Sequence, residues 1–131
     1  MIATLPDKTS GAEHLPVRVR SPPRVVRLDA FVSRAVGLMG RRALRPDIAV
    51  WLTPCHSVHT FGVRFPLDII CLDAKHNILR LTQRVGPYRI VYVPGTRSVI
   101  ESASIEGESF SRFASRARRV VAMALLQRRE N

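Results

Sequence analysis

Leu67-Asp68-Ile69-Ile70-Cys71-Leu72-Asp73, then Ala74-Lys75-His76-Asn77, then Ile78-Leu79-Arg80-Leu81-Thr82: the middle of the fold is written in these residues. The first run is apolar on both faces and rich in branched side chains, the pattern of a central strand covered above and below. The polar residues 74–77 predict a turn. Ile78 to Thr82 alternates in part and returns antiparallel, so the segment predicts a hairpin, closed by Gly86-Pro87.

Further strands extend outward in both directions. Towards the C-terminus, Arg89-Ile90-Val91-Tyr92-Val93 predicts a strand, Pro94-Gly95 a turn, and Ser98-Val99-Ile100-Glu101 a further strand. Towards the N-terminus, Phe61-Gly62-Val63-Arg64-Phe65 reads as extended chain, because Pro66 pushes Phe65 out of the helical region and Gly62 permits a bulge. A loop precedes it, and Ala49-Val50-Trp51-Leu52 is a buried strand stopped by Pro54, with Trp51 assigned to the core. Val17-Arg18-Val19-Arg20 alternates apolar and charged residues, and after Pro22-Pro23 the run Val25 to Leu28 predicts an edge strand.

Two segments carry the helical period instead. Asp29 can cap a short helix over Ala30 to Leu38, whose face is Phe31, Ala35, Leu38 and Met39 and whose end is marked by Gly37 and Gly40. From Ser109 onward Phe110, Phe113, Ala114, Ala117, Val121, Ala124 and Leu125 form one stripe, and Arg112, Arg116 and Arg119 line another. The expected class is α+β: a compact, mostly antiparallel sheet or barrel-like sheet with a short helix in its N-terminal half and an amphipathic helix at its C-terminus. Residues 1–16 read as a flexible lead-in, 17–108 as a single α+β domain, and 109–131 as the basic helix.

At 131 residues, with 46% hydrophobic and 24% charged, the chain has enough apolar surface for one core without disulfide or metal staples. Val120 to Leu126 is its longest apolar stretch, far short of the roughly 20 residues that cross a bilayer, so no membrane span is expected. The first thirty residues offer no secretory apolar core, and the expected location is cytoplasmic. Cys55 and Cys71 lack CxxC spacing and read as buried thiols. The net charge of +11 draws the chain towards polyanions, yet basic residues are spread along its whole length, and all but Lys8 and Lys75 are arginine. Nucleic-acid binding through this charge is therefore ranked third among the functional readings.

The chemically dense stretch is Pro54 to Asp68, where a thiol, two imidazoles, a guanidinium and a carboxylate fall within fifteen positions. Zinc could be drawn from Cys55, His56, His59 and Asp68, but Cys55 and His56 are neighbours that point apart in extended chain, and no metal or other cofactor is assigned. A hydrolase-type site from Cys55, His59 and Asp68 is the second reading. The first is a non-enzymatic binding or accessory domain, with no catalytic residue assigned. Its polar cluster of Arg34, Arg41, His59, Thr60, Arg64 and Asp68 either locks the fold, through an ion pair of Asp68 with Arg34 or Arg41, or receives a small anionic ligand or a protein partner.

Two segments together carry a family resemblance. Gly37-Leu38-Met39-Gly40-Arg41, preceded by Arg34, resembles the Gly-Leu-Met/Leu-x-Arg turn of the small bacterial and archaeal proteins called domain of unknown function 192. Pro54 to Asp73 resembles their Pro-Cys-x-Ser-x-His-Thr-Phe-Gly-Met-Arg-Phe-Pro-Ile/Leu-Asp string, with Val63 in place of methionine. The resemblance covers roughly residues 25–101. It implies a mostly antiparallel β fold with short helices, and no established activity, cofactor or catalytic residue. Ile100-Glu101-Ser102-Ala103-Ser104 departs from the family's Leu-Glu-x-Pro-Ala-Gly turn, and a longer basic helix follows.

Overall fold

A computed structural model describes residues 24–28, 45 and 47–130. The expected short helix at 30–38, the alternating run 17–20 and the lead-in all lie outside them. The hairpin at the middle is present: β4 (Leu67–Leu72) is buried along its whole length and pairs antiparallel with β5 (Ile78–Val85). Asp73 ties the connecting turn, its carboxylate accepting the backbone N–H groups of Lys75 and Asn77 at 2.8 Å each. Those bonds, that of Asn77 first, hold the Asp73 carboxyl below its ordinary value.

On its other side β4 pairs antiparallel with β7 (Ser98–Ala103), which pairs antiparallel with β2 (Ile48–Leu52). The edge strand β1 (Arg24–Leu28) runs parallel to β2. Among the described residues the result is an open, mixed, mostly antiparallel sheet in the order β1-β2-β7-β4-β5, which with α1 gives the expected α+β class as a sheet and not as a closed barrel. A second sheet pairs β3 (Ser57–His59) with β6 (Ile90–Tyr92).

The region of β3 departs from the sequence reading. Residues 57–59, expected as loop, form the strand, whereas 61–65, expected as extended, contain a tight turn in which the Val63 N–H donates to the Thr60 carbonyl at 3.1 Å. Gly62 stands at the third position of that turn with φ 82°, where the chain needs a residue tolerant of the left-handed region.

Two cores occupy the two faces of the main sheet, and the period of two assigns each residue to one. Leu67, Ile69 and Cys71 of β4 join Val50, Leu52, Val99, Cys55, Val58 and Val63. Ile70 and Leu72 join Ala49, Trp51 and Ile100 beneath α1 (Phe110–Glu130), whose Phe113, Ala117, Val120, Val121 and Ala124 are buried. Ser109 caps α1, accepting the Arg112 N–H at 3.2 Å, and Arg128 and Arg129 stand in its last turn, where the helix dipole favours cations.

Candidate functional site

Asp68 is the polar centre of the helix-covered face. It alternates with Ile70 and Leu72, so its carboxylate points under α1, where it is fully buried. A bulge prepares its first partner. Leu67 stands opposite Val85 and Ile69 opposite Thr82, so Asp68 faces two residues, and the second of them, Arg84, takes φ 55°. The Arg84 N–H thereby leaves the ladder and donates to Asp68 Oδ1 at 3.0 Å. The Ser104 hydroxyl donates to the same oxygen at 2.7 Å, and Oδ2 accepts from Arg116.

Arg116 extends this into a network. It donates to both carboxylate oxygens of Glu108, from Nη2 at 2.8 Å and from Nε at 3.0 Å, and to the Ser102 hydroxyl at 3.2 Å, with its guanidinium 5.3 Å from the centre of the Phe113 ring. Burial opposes its charge, but the bond and charge of Glu108, followed by Asp68, outweigh it and hold the guanidinium above its ordinary value. The Arg84 side chain fastens the same loop by donating to the Glu108 carbonyl at 2.7 Å. With both oxygens of Asp68 and three edges of the guanidinium engaged, the group closes on itself as an ionic knot. It is held by β4, β5, the loop after β7 and α1.

The expected partner of Asp68 is Arg34 or Arg41. Both lie outside the described residues, and the carboxylate is taken by Arg116, which the sequence pattern places on the solvated face with Arg112 and Arg119. Those two are exposed, whereas Arg116 falls three residues after Phe113 and four before Val120, inside the buried stripe. An arginine at that spacing, facing a strand with one buried carboxylate, is the signal available in the sequence.

The other members of the cluster sit elsewhere. Thr60 is buried, its hydroxyl donating to the Gly86 carbonyl at 2.7 Å and accepting the Arg89 N–H at 2.9 Å, while its own N–H donates to the Arg89 carbonyl at 2.8 Å. It clamps the 60–63 turn to the 86–89 turn. His59 and Arg64 are exposed. Val58 and Val91 point into the core, so the alternate residues Ser57, His59, Ile90 and Tyr92 face outward, with His59 opposite Ile90 and Ser57 opposite Tyr92. The His59 ring lies 5.2 Å from that of Phe61, and Phe61 lies 5.9 Å from Tyr88. Tyr88 is 77% exposed, Ile90 67% and Tyr92 61%, with Phe61 also exposed.

The residues considered for zinc or for hydrolysis are not brought together. Cys55 Sγ is buried and donates to the Ser57 carbonyl at 3.1 Å, His56 Nδ1 lies 3.0 Å from the Thr96 carbonyl, His59 stacks outward, and Asp68 belongs to the opposite face of the main sheet. Among the described residues no group of three or more His, Cys, Asp or Glu is placed to hold a metal. Nor is any described helix long and apolar enough to cross a membrane. Glu101, which the sequence reading passed over, is buried in β7 between Val50 and Ile69 on the Cys55 side of the sheet, and burial pushes its carboxyl up to about 7.

Comparison with known proteins adds a family and a fold. The family model DUF192, described as Uncharacterized ACR, matches residues 19–110. A crystal structure of a protein of unknown function from Novosphingobium aromaticivorans superimposes with a TM-score of 0.57 at 21% identity, over 63% of this chain and 64% of that one. A Sinorhizobium meliloti protein put forward as a transcription regulator superimposes with a TM-score of 0.54 at 20% identity, over 61% of this chain and 67% of that one. No curated protein matches significantly.

Proposed function

The chain belongs to the DUF192 family, and from that premise we propose that it is a non-enzymatic binding module whose recognition surface is the outer face of the β3–β6 sheet, the Asp68 knot serving as its internal lock. The observation that carries this reading is the contiguous outward display of His59, Phe61, Tyr88, Ile90 and Tyr92 on a unit fastened from within by Thr60. A soluble domain normally covers such rings, and a clustered set of exposed aromatic side chains marks an interaction surface. The anionic preference expected of the cluster of Arg34, Arg41, His59, Thr60, Arg64 and Asp68 passes to the exposed His59, Arg64 and Arg89 of this unit.

The test is amide chemical-shift mapping of the whole chain against small planar anions such as mononucleotides and aromatic carboxylates. Shifts gathered at residues 57–61 and 86–92 support the reading. Shifts centred on Asp68, Glu108 and Arg116, or none at millimolar ligand, overturn it.

A further inference from the structure

The surface just described carries its own indication of what lies on it. Residues 54–66 and 86–97, which build β3, β6 and their turns, contain no Asp or Glu, and their Arg64, Arg89 and Arg97 are all exposed. The field over this unit is therefore positive on its own account, apart from the excess spread over the rest of the chain. Four of its side chains, Phe61, Tyr88, Ile90 and Tyr92, make up the majority of the large apolar groups exposed among the described residues. Flat rings displayed by strands and their turns within a positive field are the two elements of single-strand nucleic-acid binding: successive bases stack on aromatic faces while arginines follow the phosphates. A duplex offers the same phosphates but keeps its bases inside.

Resting on the proposed reading of this face as the binding surface, we infer that its occupant is single-stranded nucleic acid, with bases stacked on Tyr88, Tyr92 and the His59–Phe61 pair and phosphates met by Arg64 and Arg89. Thr60 has a positioning role: by holding the Arg89 backbone through both its N–H and its carbonyl it fixes the turn that presents Tyr88. Ile90, opposite His59 and exposed, adds apolar surface beside these rings.

The experiment is fluorescence anisotropy on the full chain with labelled oligo(dT) and oligo(U) of about 12 nucleotides, a DNA duplex of equal length, and poly-glutamate of matched charge. The expected result is binding of oligo(dT) or oligo(U) at least tenfold tighter than of duplex or poly-glutamate at physiological salt. Tyr88→Ala and Tyr92→Ala each weaken it roughly 5- to 150-fold. Arg64→Gln and Arg89→Gln each reduce the slope of log affinity against log salt by about 0.7, the value for one phosphate left without its arginine. The two oligonucleotide arms tell DNA from RNA. Equal affinity for all four probes, or affinity untouched by the tyrosine substitutions while circular dichroism is unchanged, overturns the inference and leaves only charge attraction. If oligonucleotides fail while small planar anions still shift residues 57–61 and 86–92, the inference falls and the module reading stands; if neither binds there, both fall.

Discussion

Beneath α1 the sheet buries charge, and on the outer side of β3–β6 the chain exposes rings. The first region contains Asp68, Glu108 and Arg116, ionic groups that cost several kcal/mol each to remove from water, and it recovers that cost by meeting nearly every donor with an acceptor. The second leaves Tyr88, Ile90 and Tyr92 in solvent, forgoing the burial that would stabilise the fold at roughly 25 cal/mol per Å². Each inverts the usual placement of its residue type. A buried, saturated network has no free valence for a ligand, so it locks; an exposed apolar surface gives up stability inside one chain and gains it only when something covers it.

Breaking the lock tests the comparison most severely. Asp68→Ala takes from Arg116 one of its two carboxylate partners, leaves the Ser104 hydroxyl and the Arg84 N–H without their acceptor, and is expected to cost about 3–5 kcal/mol. In a chain of this size that lowers the melting temperature on the order of 10 °C, measured by calorimetry. Ser104→Ala removes one donor and is expected to cost about 1 kcal/mol. Equal small losses from both would show that the carboxylate is not the keystone.

Glu101 gives the next effect, and its sign distinguishes it from Asp68. Its carboxyl stands at about 7 in the fold against an ordinary 4.5, so the folded chain holds a proton that the unfolded chain releases. Its contribution is therefore complete below about pH 4.5 and is lost as pH rises through about 7. The total lost is on the order of 3 kcal/mol. Glu101→Gln, compared with the parent by denaturant melts at pH 4.5 and pH 8, should gain stability relative to it at the higher pH. A difference independent of pH would show that the carboxyl titrates normally.

The sequence disclosed these regions unevenly. The β4–β5 hairpin is legible because β4 is a run of branched apolar residues followed at once by the polar turn residues 74–77, and α1 because it spans several periods of the 3.6 repeat. β3 was not, since three residues between loops cannot establish a period, and the aromatic and branched content of 61–65 suggested a strand that Gly62 turns aside. Asp68 was singled out as a buried charge in need of a partner, but its partner lay forty-eight positions away on a helix whose arginines all looked solvated. Glu101 reads in the sequence only as the end of a strand, because its apolar neighbours Val99 and Ile100 explain the strand without it. The outer face of β3–β6 is not legible in the sequence: Ile90 and Tyr92 look like ordinary strand residues until pairing shows which side is covered.

Thr60 links the two kinds of region, a buried hydroxyl whose work is done on the exposed side. Thr60→Val keeps the shape but leaves the Gly86 carbonyl and the Arg89 N–H without their hydroxyl partner, at a cost of about 1–3 kcal/mol. The Arg89 amide should then exchange with solvent faster than that of Ile70, whose strand lies in the main sheet. Uniform acceleration at both sites would mean that the hydroxyl supports the whole fold rather than this face.

The smallest expected change in stability is the one that sharpens the contrast furthest. Ile90 and Tyr92 are about two-thirds exposed, so Ile90→Ser and Tyr92→Ser remove side-chain area most of which folding leaves in water, and each should move stability by no more than about 0.5 kcal/mol. They sit on the outer side of β6, opposite His59 and Ser57, so neither substitution opens a cavity in the core formed by Val58 and Val91. If these residues form the recognition surface, oligonucleotide affinity falls while the melting temperature holds, the reverse of what Ser104→Ala does beneath the helix. A large loss of stability from either serine variant would show instead that the rings are part of the packing, and the division between a lock inside and a display outside would fail.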